Sequence, residues 1–503
     1  MSLLDDVSIV VTPNGYKAGT LFGAIPVPTF GSDEITCGDF ECANPAAVWS
    51  TGGGWSIGGG VATANGNANS NISQNIPLTV GNAYSVTYTV VNSSVGSRIG
   101  IAPQGTTIQI IRTADGTYTE TFTAATSSFY IRSLWNNGSP VSVDNVSVKE
   151  WVGADMDVTR GTDATRVDEN GLVEDVLANV PRIDYTGGGC PHILAEPMRT
   201  NLVTYSDFSD FSTIGDSVIT LNNSISPDGT NNATNVTFTT GRIDETVLSF
   251  TDNTDYTFSF WAKKGGALTT ATCFVKINSG SNISQQITLT DNWQKFSLTA
   301  NSLTGSSVNT IGFRDEATDI ELFGAQLEEG SYPTSLIPTS GSTVTRNQDI
   351  FTRDGIGSLI NSTEGVLFVE MAALTITNSS NAAISVSDGS TTNRIFMYYS
   401  AVTNAIKFQA IVGGSTAAFM QYTLTDITIQ QKIAFKWDGT TFSVFIDGDL
   451  KGSDDRGLSF LSGTLNTLGL NRGSAAEYFV GKVKQLQVYK TALTDPELIA
   501  LTS

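Results

Sequence analysis

The sequence predicts an all-β chain of tandem antiparallel sandwiches with a non-periodic linker, and three observations predict it. Apolar and polar residues alternate with period two in run after run, as in Tyr84-Ser-Val-Thr-Tyr-Thr-Val, Tyr118-Thr-Glu-Thr-Phe-Thr, Tyr256-Thr-Phe-Ser-Phe and Val483-Lys-Gln-Leu-Gln-Val-Tyr. That alternation describes strands with one face buried and one face wet. Asp115-Gly116, Asp438-Gly439 and Asp447-Gly448 supply turn chemistry between such runs. The one convincing helical stretch is short, Leu493-Thr-Asp-Pro-Glu-Leu-Ile-Ala-Leu, where Thr494 or Asp495 can cap and Pro496 suits the first turn. Strand after strand with polar turns means antiparallel sandwiches rather than α/β units.

The 503 residues correspond to three or four domains at roughly 100–200 residues each. An internal repeat sets their boundaries. Gly81-Asn-Ala-Tyr-Ser-Val-Thr-Tyr-Thr-Val answers Asn253-Thr-Asp-Tyr-Thr-Phe-Ser-Phe-Trp-Ala, and Asp115-Gly-Thr-Tyr-Thr-Glu-Thr-Phe-Thr answers Asp291-Asn-Trp-Gln-Lys-Phe-Ser-Leu-Thr. Each copy closes on a late strand, Val141-Ser-Val-Asp-Asn-Val-Ser-Val or Ile320-Glu-Leu-Phe-Gly-Ala-Gln-Leu. The chain therefore divides into an opening segment, 1–30, a first sandwich, 31–152, a linker without clean periodicity, 153–199, a second sandwich, 200–345, and a third β unit, 346–503.

Composition excludes several functions. With 27 Lys+Arg against 48 Asp+Glu, the formal net charge is −21 and no basic cluster stands out. That argues against nucleic acid and against anionic membrane surfaces as partners. No apolar run approaches the roughly 20 residues needed to span a bilayer. The start, Met1-Ser-Leu-Leu-Asp-Asp, reads as free of a secretion signal, so synthesis in a cytoplasm is expected. Four cysteines are too sparse for a disulfide scaffold. Cys37 and Cys42 can pair locally and Cys190 and Cys273 stand as singletons, with reduced thiols the expectation.

Catalysis finds little to use. His192, the one histidine, sits in Cys190-Pro-His-Ile-Leu within the linker. A Cys–His couple needs both side chains in hydrogen-bond reach and a third group to orient the base; a packed or solvated histidine is the expectation. No spacing among the acids picks out a carboxylate pair for glycoside hydrolysis. The chain is expected not to be an enzyme.

Two groups of motifs resemble a known family. Asp157-Val-Thr-Arg-Gly-Thr-Asp-Ala-Thr-Arg-Val-Asp-Glu-Asn-Gly-Leu-Val-Glu runs on to Pro181-Arg-Ile-Asp-Tyr and Leu194-Ala-Glu-Pro-Met-Arg-Thr-Asn-Leu. Its companion is Leu327-Glu-Glu-Gly-Ser-Tyr-Pro-Thr-Ser-Leu-Ile-Pro-Thr-Ser-Gly-Ser-Thr-Val-Thr-Arg. Together they resemble modular virion proteins of tailed bacteriophages, in which such segments bracket a carbohydrate-binding-module-like jelly roll. The opening Leu3-Leu-Asp-Asp with Thr12-Pro-Asn-Gly-Tyr-Lys-Ala-Gly-Thr-Leu resembles their start, which makes 31–152 an inserted jelly roll. Separately, Ile433-Ala-Phe-Lys-Trp-Asp-Gly-Thr-Thr-Phe-Ser-Val-Phe-Ile-Asp-Gly and the ending from Phe479 are similar to laminin-G and concanavalin-A-like sandwiches.

The resemblance implies a virion structural protein of the fibre or decoration type, head or tail, displayed on the virion surface. The opening segment would bind other virion proteins, the modules would adhere to host-surface glycans, and the chain would be a homo-oligomer, a trimer in the fibre type. The alternative is a secreted or surface polysaccharide-binding protein, or a tailspike-like depolymerase, of a bacterium. Glycan binding needs aromatic faces ringed by amides and carboxylates. Trp49, Trp55 and Trp135 lie among Gly, Ser and Asn, as loop residues would, and Trp261 falls on the face opposite Tyr256, Phe258 and Phe260; for each, packing in a core or interface is the competing reading. Trp293 and Trp437 sit in strand patterns and read as core. Jelly rolls of the resembled type often hold a structural calcium ion, for which Asp39, Glu41 and Asp144 offer oxygen ligands; ordinary turn and edge acids are the other reading of these three, and no other cofactor is implied.

Overall fold

The alternating runs form strands throughout the computed structural model, which describes residues 6–26, 30–135, 137–247, 250–277, 281–301, 309–314, 317–376, 383–400, 402–474 and 476–503. Two compact units emerge: Val27–Gly153, and a second made of Met1–Pro26 with Ala154–Ser503.

The Val27–Gly153 unit is a sandwich. One sheet runs Gly116–Thr123, Ala83–Val91, Val141–Trp151, Val61–Ala64, Trp55–Gly58, with Phe30–Asp33 also on Val141–Trp151; the other runs Ser50–Thr51, Ser70–Asn75, Ser128–Ser133, Ile99–Ile101. Tyr84, Val86, Tyr88 and Val90 all point into one core with Ile72, Ile99, Phe129 and Ile131. Glu120 shares that buried face, accepting from the Tyr88 hydroxyl at 2.9 Å and Arg112 Nε at 2.8 Å.

In the larger unit, a second sandwich is built on the same plan. Its sheets are Ser212–Ile214, Arg242–Val247, Asn309–Phe313, Thr270–Ile277, Ser281–Thr288 and Val218–Ser224, Ala233–Phe238, Thr318–Glu329, Asp255–Lys264, Gln294–Asn301. The sequence repeat is a repeat of pairing. The same two strands pair in both copies with the register moved by two: Tyr84 faces Phe122 across Ala83–Val91 and Gly116–Thr123, whereas Tyr256, its counterpart, faces Ala300 and Phe258 faces Leu298 across Asp255–Lys264 and Gln294–Asn301. In both copies a backbone N–H five residues upstream donates to the tyrosine hydroxyl, Thr79 to Tyr84 and Thr251 to Tyr256, each at 2.9 Å.

The third sandwich is one continuous ladder folded back on itself. It runs from Asp449–Asp455 through Thr441–Ile446, Gln431–Asp438, Glu364–Ala373 and Gly481–Tyr489, and ends with Ala383–Ser387, Arg394–Tyr399, Ala405–Val412 and Ser415–Thr423. Phe408 meets Phe435 edge-on at 5.5 Å across the core, and Phe419 N donates to Asp454 Oδ2 where the two ends approach. Ile433, Phe435 and Trp437 are fully buried, as their alternation predicts. Asp447 and Gly448, both at positive φ, form the two-residue turn between Thr441–Ile446 and Asp449–Asp455. The helix is Asp495–Thr502, and the choice of cap falls on Thr494, whose N–H donates to Glu497 Oε2 at 2.8 Å.

The opening residues and part of the linker, expected to stand apart from the sandwiches, are strands of this ladder. Val7–Lys17 pairs with Gly481–Tyr489 and with Thr20–Ala24; Met156–Thr159 follows, then Ile350–Arg353. Val7, Ile9 and Val11 are buried, which gives these residues a packing role. Leu3, Leu4 and Asp5 lie outside the described residues. The linker holds Ala164–Val167 paired with Val173–Val176, and Ile183–Asp184 paired with His192–Ala195. These elements are two to four residues long, too short for a period to show.

Candidate functional site

Two of the four tryptophans expected at a ligand site are core residues, which corrects the loop-surface placement. Trp49 is 2% exposed and Trp55 7%. Trp55 is a strand residue opposite Ala64, and Trp49 packs against a loop closed by a disulfide, Cys37–Cys42, which replaces the expected reduced thiols. That loop turns Phe40 inward at positive φ, with its ring 5.1 Å from that of Trp49, while Trp49 Nε1 donates to the Cys37 carbonyl at 2.9 Å. The singletons are free thiols, Cys190 exposed and Cys273 buried; burial pushes the Cys273 thiol up to about 11.

Trp135 is 56% exposed at the end of Ser128–Ser133, its backbone N–H donating to Asn69 Oδ1 at 2.6 Å. On the same strand, Tyr130 and Arg132 face away from the core, and Arg132 Nη1 donates to Asn71 Oδ1 at 3.0 Å and to the Gly105 carbonyl at 2.8 Å.

The calcium set does not assemble. Asp39 and Glu41 border one open hollow together with Asp33 and Asn145, whereas Asp144 is absent from its lining and accepts from the N–H and Nδ2 of Asn145. Among the described residues no group of three His, Cys, Asp or Glu side chains gathers as metal ligands would. Asp39 Oδ1 accepts from Glu41 N at 3.2 Å, the work of an ordinary turn acid. Trp293, expected in a core, is half-buried outside the strands and donates from Nε1 to the Ile225 carbonyl. Cys190 and His192 form no couple: His192 is buried with Nε2 3.2 Å from Asp184 Oδ1.

Trp261 lies where a ligand can reach it. Tyr256, Phe258, Phe260 and Ala262 share the core face of Asp255–Lys264, so alternation sets the Trp261 indole on the other face, in a cavity of about 470 Å³ within the larger unit. The walls come from four parts of the chain: Arg166, Asp184 and Glu196 of the linker, Trp261 and Lys295 of the second sandwich, Thr334 and Ser335 of its bracketing segment, and Thr428 and Lys482 of the third sandwich. Lys295 sits directly opposite Trp261 in the strand register. Its Nζ donates to the Thr334 carbonyl at 2.6 Å and stands 4.6 Å from the indole centroid. Protein surrounds this lysine, yet its side chain stays open to the cavity space. Burial draws its ammonium below the ordinary value, with Glu328 and Glu196 pulling the other way. Phe323, 6.0 Å from Trp261 and edge-on to it, borders an adjoining hollow of about 500 Å³ with Asp207, Asn222, Asp228 and Asn232.

Glu196 of the cavity wall belongs to a buried ion network that holds the two bracketing segments together. Asp349 Oδ1 accepts from Arg160 Nη1 at 3.0 Å, and its Oδ2 accepts from Arg182 and from Glu196 N. Glu196 Oε2 in turn accepts from Arg182 at 2.6 Å and lies 2.8 Å from Arg346. Burial alone would raise the Glu196 carboxyl, but Arg346 and Arg182 outweigh it and hold it far below the carboxylate range. Burial would likewise raise Asp184, but hydrogen bonds from His192, Thr186 and the Val167 backbone hold it at about 2.

Sequence reasoning reached Trp261 but missed Lys295, Lys482 and Glu196. Lys295 was within reach: aligning the repeat places Trp293-Gln-Lys on the strand that pairs with Trp261.

Residues 371–499 match the family described as the concanavalin A-like lectin/glucanases superfamily. No curated protein matches the chain. Among solved structures the chain is similar to the CBM40 of Ruminococcus gnavus IT-sialidase bound to alpha2,3 sialyllactose, at 18% identity over 28% of this chain and 83% of that one, TM-score 0.25. It is also similar to domain 4 of AbnA, a GH43 extracellular arabinanase from Geobacillus stearothermophilus, in complex with arabinotriose, at 13% identity over 34% and 82% of the two chains, TM-score 0.26. A third likeness, at 14% identity over 26% of this chain and 21% of that one, TM-score 0.23, is the enzymatically active domain of tailspike protein 4 of bacteriophage CBA120. The chain is an all-β tandem of antiparallel sandwiches, and its last sandwich carries the match to the concanavalin A-like lectin/glucanases superfamily. No helix among the described residues is long and apolar enough to cross a membrane.

Proposed function

We propose that this chain is a non-catalytic glycan-binding protein and that its site is the cavity beside Trp261. The observation that carries this reading is one aromatic side chain, set by strand alternation on the face opposite the sandwich core, in a hollow of about 470 Å³ walled by hydrogen-bonding groups. That size and mixture suit one or two sugar rings, the indole meeting an apolar ring face and the polar wall meeting hydroxyls. The exposed Trp135, at the end of the strand that carries Tyr130 and Arg132, is a second surface of the same chemistry.

The setting we propose is the surface of a tailed bacteriophage virion, where the chain acts as an oligomeric fibre or decoration protein that adheres to host glycans. The motifs 157–199 and 327–346 support it, because the segments that resemble phage proteins are the ones the ion network joins. A bacterial surface or secreted polysaccharide-binding protein is the other setting, and the Cys37–Cys42 disulfide favours an oxidising exterior in either case.

The test is a glycan array probed with the full chain and with Trp261→Ala and Trp135→Ala. Binding that Trp261→Ala removes, with an unchanged melting profile, is the expected result. Absence of binding, or binding indifferent to Trp261, overturns the site. Immunogold labelling of purified particles separates the settings.

A further inference from the structure

The charges lining the Trp261 cavity are of two kinds: those held by partners in the protein, and those left over. Arg166 is tied to Glu174 at 2.5 Å. Glu196 lies between Arg182 and Arg346, and its carboxylate also accepts from Ser335 N and Oγ. Asp184 accepts from the N–H groups of Val167 and Thr186, both at 2.8 Å, and faces His192. Lys295 and Lys482 remain, and neither has a carboxylate at ion-pair distance among the described residues. In a chain of net charge −21, this cavity sets two unpaired cations against one carboxylate, Asp184, which hydrogen bonds hold without a fixed counter-charge.

We infer that the ligand is an acidic glycan, and that the Lys295 ammonium receives the carboxylate of a uronic- or sialic-acid-type residue whose ring lies against Trp261. The inference rests on the glycan-binding reading and names the substrate class within it. An ammonium has three N–H donors; one goes to the Thr334 carbonyl, which fixes the head group and leaves the others for a ligand. The indole 4.6 Å away adds apolar surface beside the charge, and an acidic sugar has the matching pair of features, an apolar ring face and a carboxylate. Lys482, across the cavity on Gly481–Tyr489, adds positive potential from the third sandwich.

The experiment titrates the full chain with uronic-acid trisaccharides and sialyl-oligosaccharides, each beside its carboxyl-reduced, neutral counterpart. The expected result is acidic forms bound about tenfold or more tightly, the worth of one charge-assisted hydrogen bond. Lys295→Gln should bring acidic and neutral forms level, Lys295→Arg should keep the preference, and added salt should weaken the acidic forms alone. Lys482→Gln, in a different sandwich, gives a second reading should Lys295→Gln melt early, and a reduced acidic preference is expected from it. If neutral forms bind as tightly as acidic ones and Trp261→Ala abolishes both, the inference falls and the glycan reading stands. If no sugar of either kind binds, both fall.

Discussion

Asp349→Ala should be among the most damaging single substitutions in the larger unit. Its carboxylate neutralises the guanidinium groups of Arg160 and Arg182, all three side chains being wholly buried, and accepts from the backbone N–H of Glu196. Arg160 would keep its hydrogen bonds to the carbonyls of Thr162, Val176, Leu177 and Val180, so hydrogen bonding survives there while charge balance does not. Removing one partner of a buried pair costs about 3–5 kcal/mol. The orphaned Glu196 N–H adds about 1–3 kcal/mol, and Arg182, still held by Glu196, moderates the sum. A loss of about 5 kcal/mol follows, which lowers the midpoint by roughly 10 °C or more. Calorimetry of the full chain is the assay, because it separates the melting of this unit from that of Val27–Gly153. A double variant, Arg160→Met with Asp349→Leu, should recover part of the loss, since an apolar pair leaves one fewer unbalanced charge. A drop below about 1 kcal/mol for Asp349→Ala would refute the reasoning, since only a solvated, screened pair is worth so little.

Other outcomes follow from single sites. Burial, and then the nearby Asp210 and Asp244, push the Glu245 carboxyl up to about 7. Its folded value thus exceeds its unfolded one, so stability grows as pH falls through 7 and the gain is complete below the ordinary carboxylate range. Glu245→Gln should therefore stabilise by about 1–2 kcal/mol above pH 7, after allowance for partial exposure, and do nothing in mild acid; urea titrations at the two pH values check this. Reducing Cys37–Cys42 should destabilise the Val27–Gly153 unit by about 2 kcal/mol, the loop-closure value for so short a loop, and blunt the near-ultraviolet dichroism of Trp49, which packs beside it. In Gly365→Ala, the new methyl would sit 2.4 Å from the Trp437 ring and 2.6 Å from the Tyr489 carbonyl. The expected cost is about 1–3 kcal/mol by overpacking, measured as a lowered melting midpoint.

The strands were legible because their signal is local: Tyr84, Val86, Tyr88 and Val90 announce a buried face whatever they meet across the sandwich. The repeat was legible for the same reason, and it carried strand pairing with it. Trp49 and Trp55 were misread because Gly, Ser and Asn neighbours describe the backbone, and the backbone at Trp49 is indeed a loop; its side chain is turned inward by a disulfide that spacing alone left as one option of two. All but Asp349 of the ion network lay inside the segments singled out as motifs, but its charges come from positions 160, 182, 196, 346 and 349. No periodicity links residues that meet only after two sandwiches have folded. Lys482 was invisible for that reason as well, since the cavity belongs to no single module, whereas the repeat could place Lys295 on the strand that pairs with that of Trp261.

The Val27–Gly153 unit leaves and rejoins the chain at neighbouring points. Within it, Trp151 pairs with Phe30, their rings 5.6 Å apart; in the larger unit, Met156 pairs with Leu21, and Asp155 Oδ1 accepts from Gly23 N. Seen by the larger unit as a polymer, the insertion is a loop of about 130 residues while unfolded and little more than a hairpin turn once folded. Closing the first kind of loop rather than the second costs about 3 kcal/mol more in chain entropy. The two units therefore share a folding free energy without needing any contact between them. A lesion confined to the insertion, the loss of its disulfide included, is felt at the junction of Thr20–Ala24 with Met156–Thr159 as a longer tether.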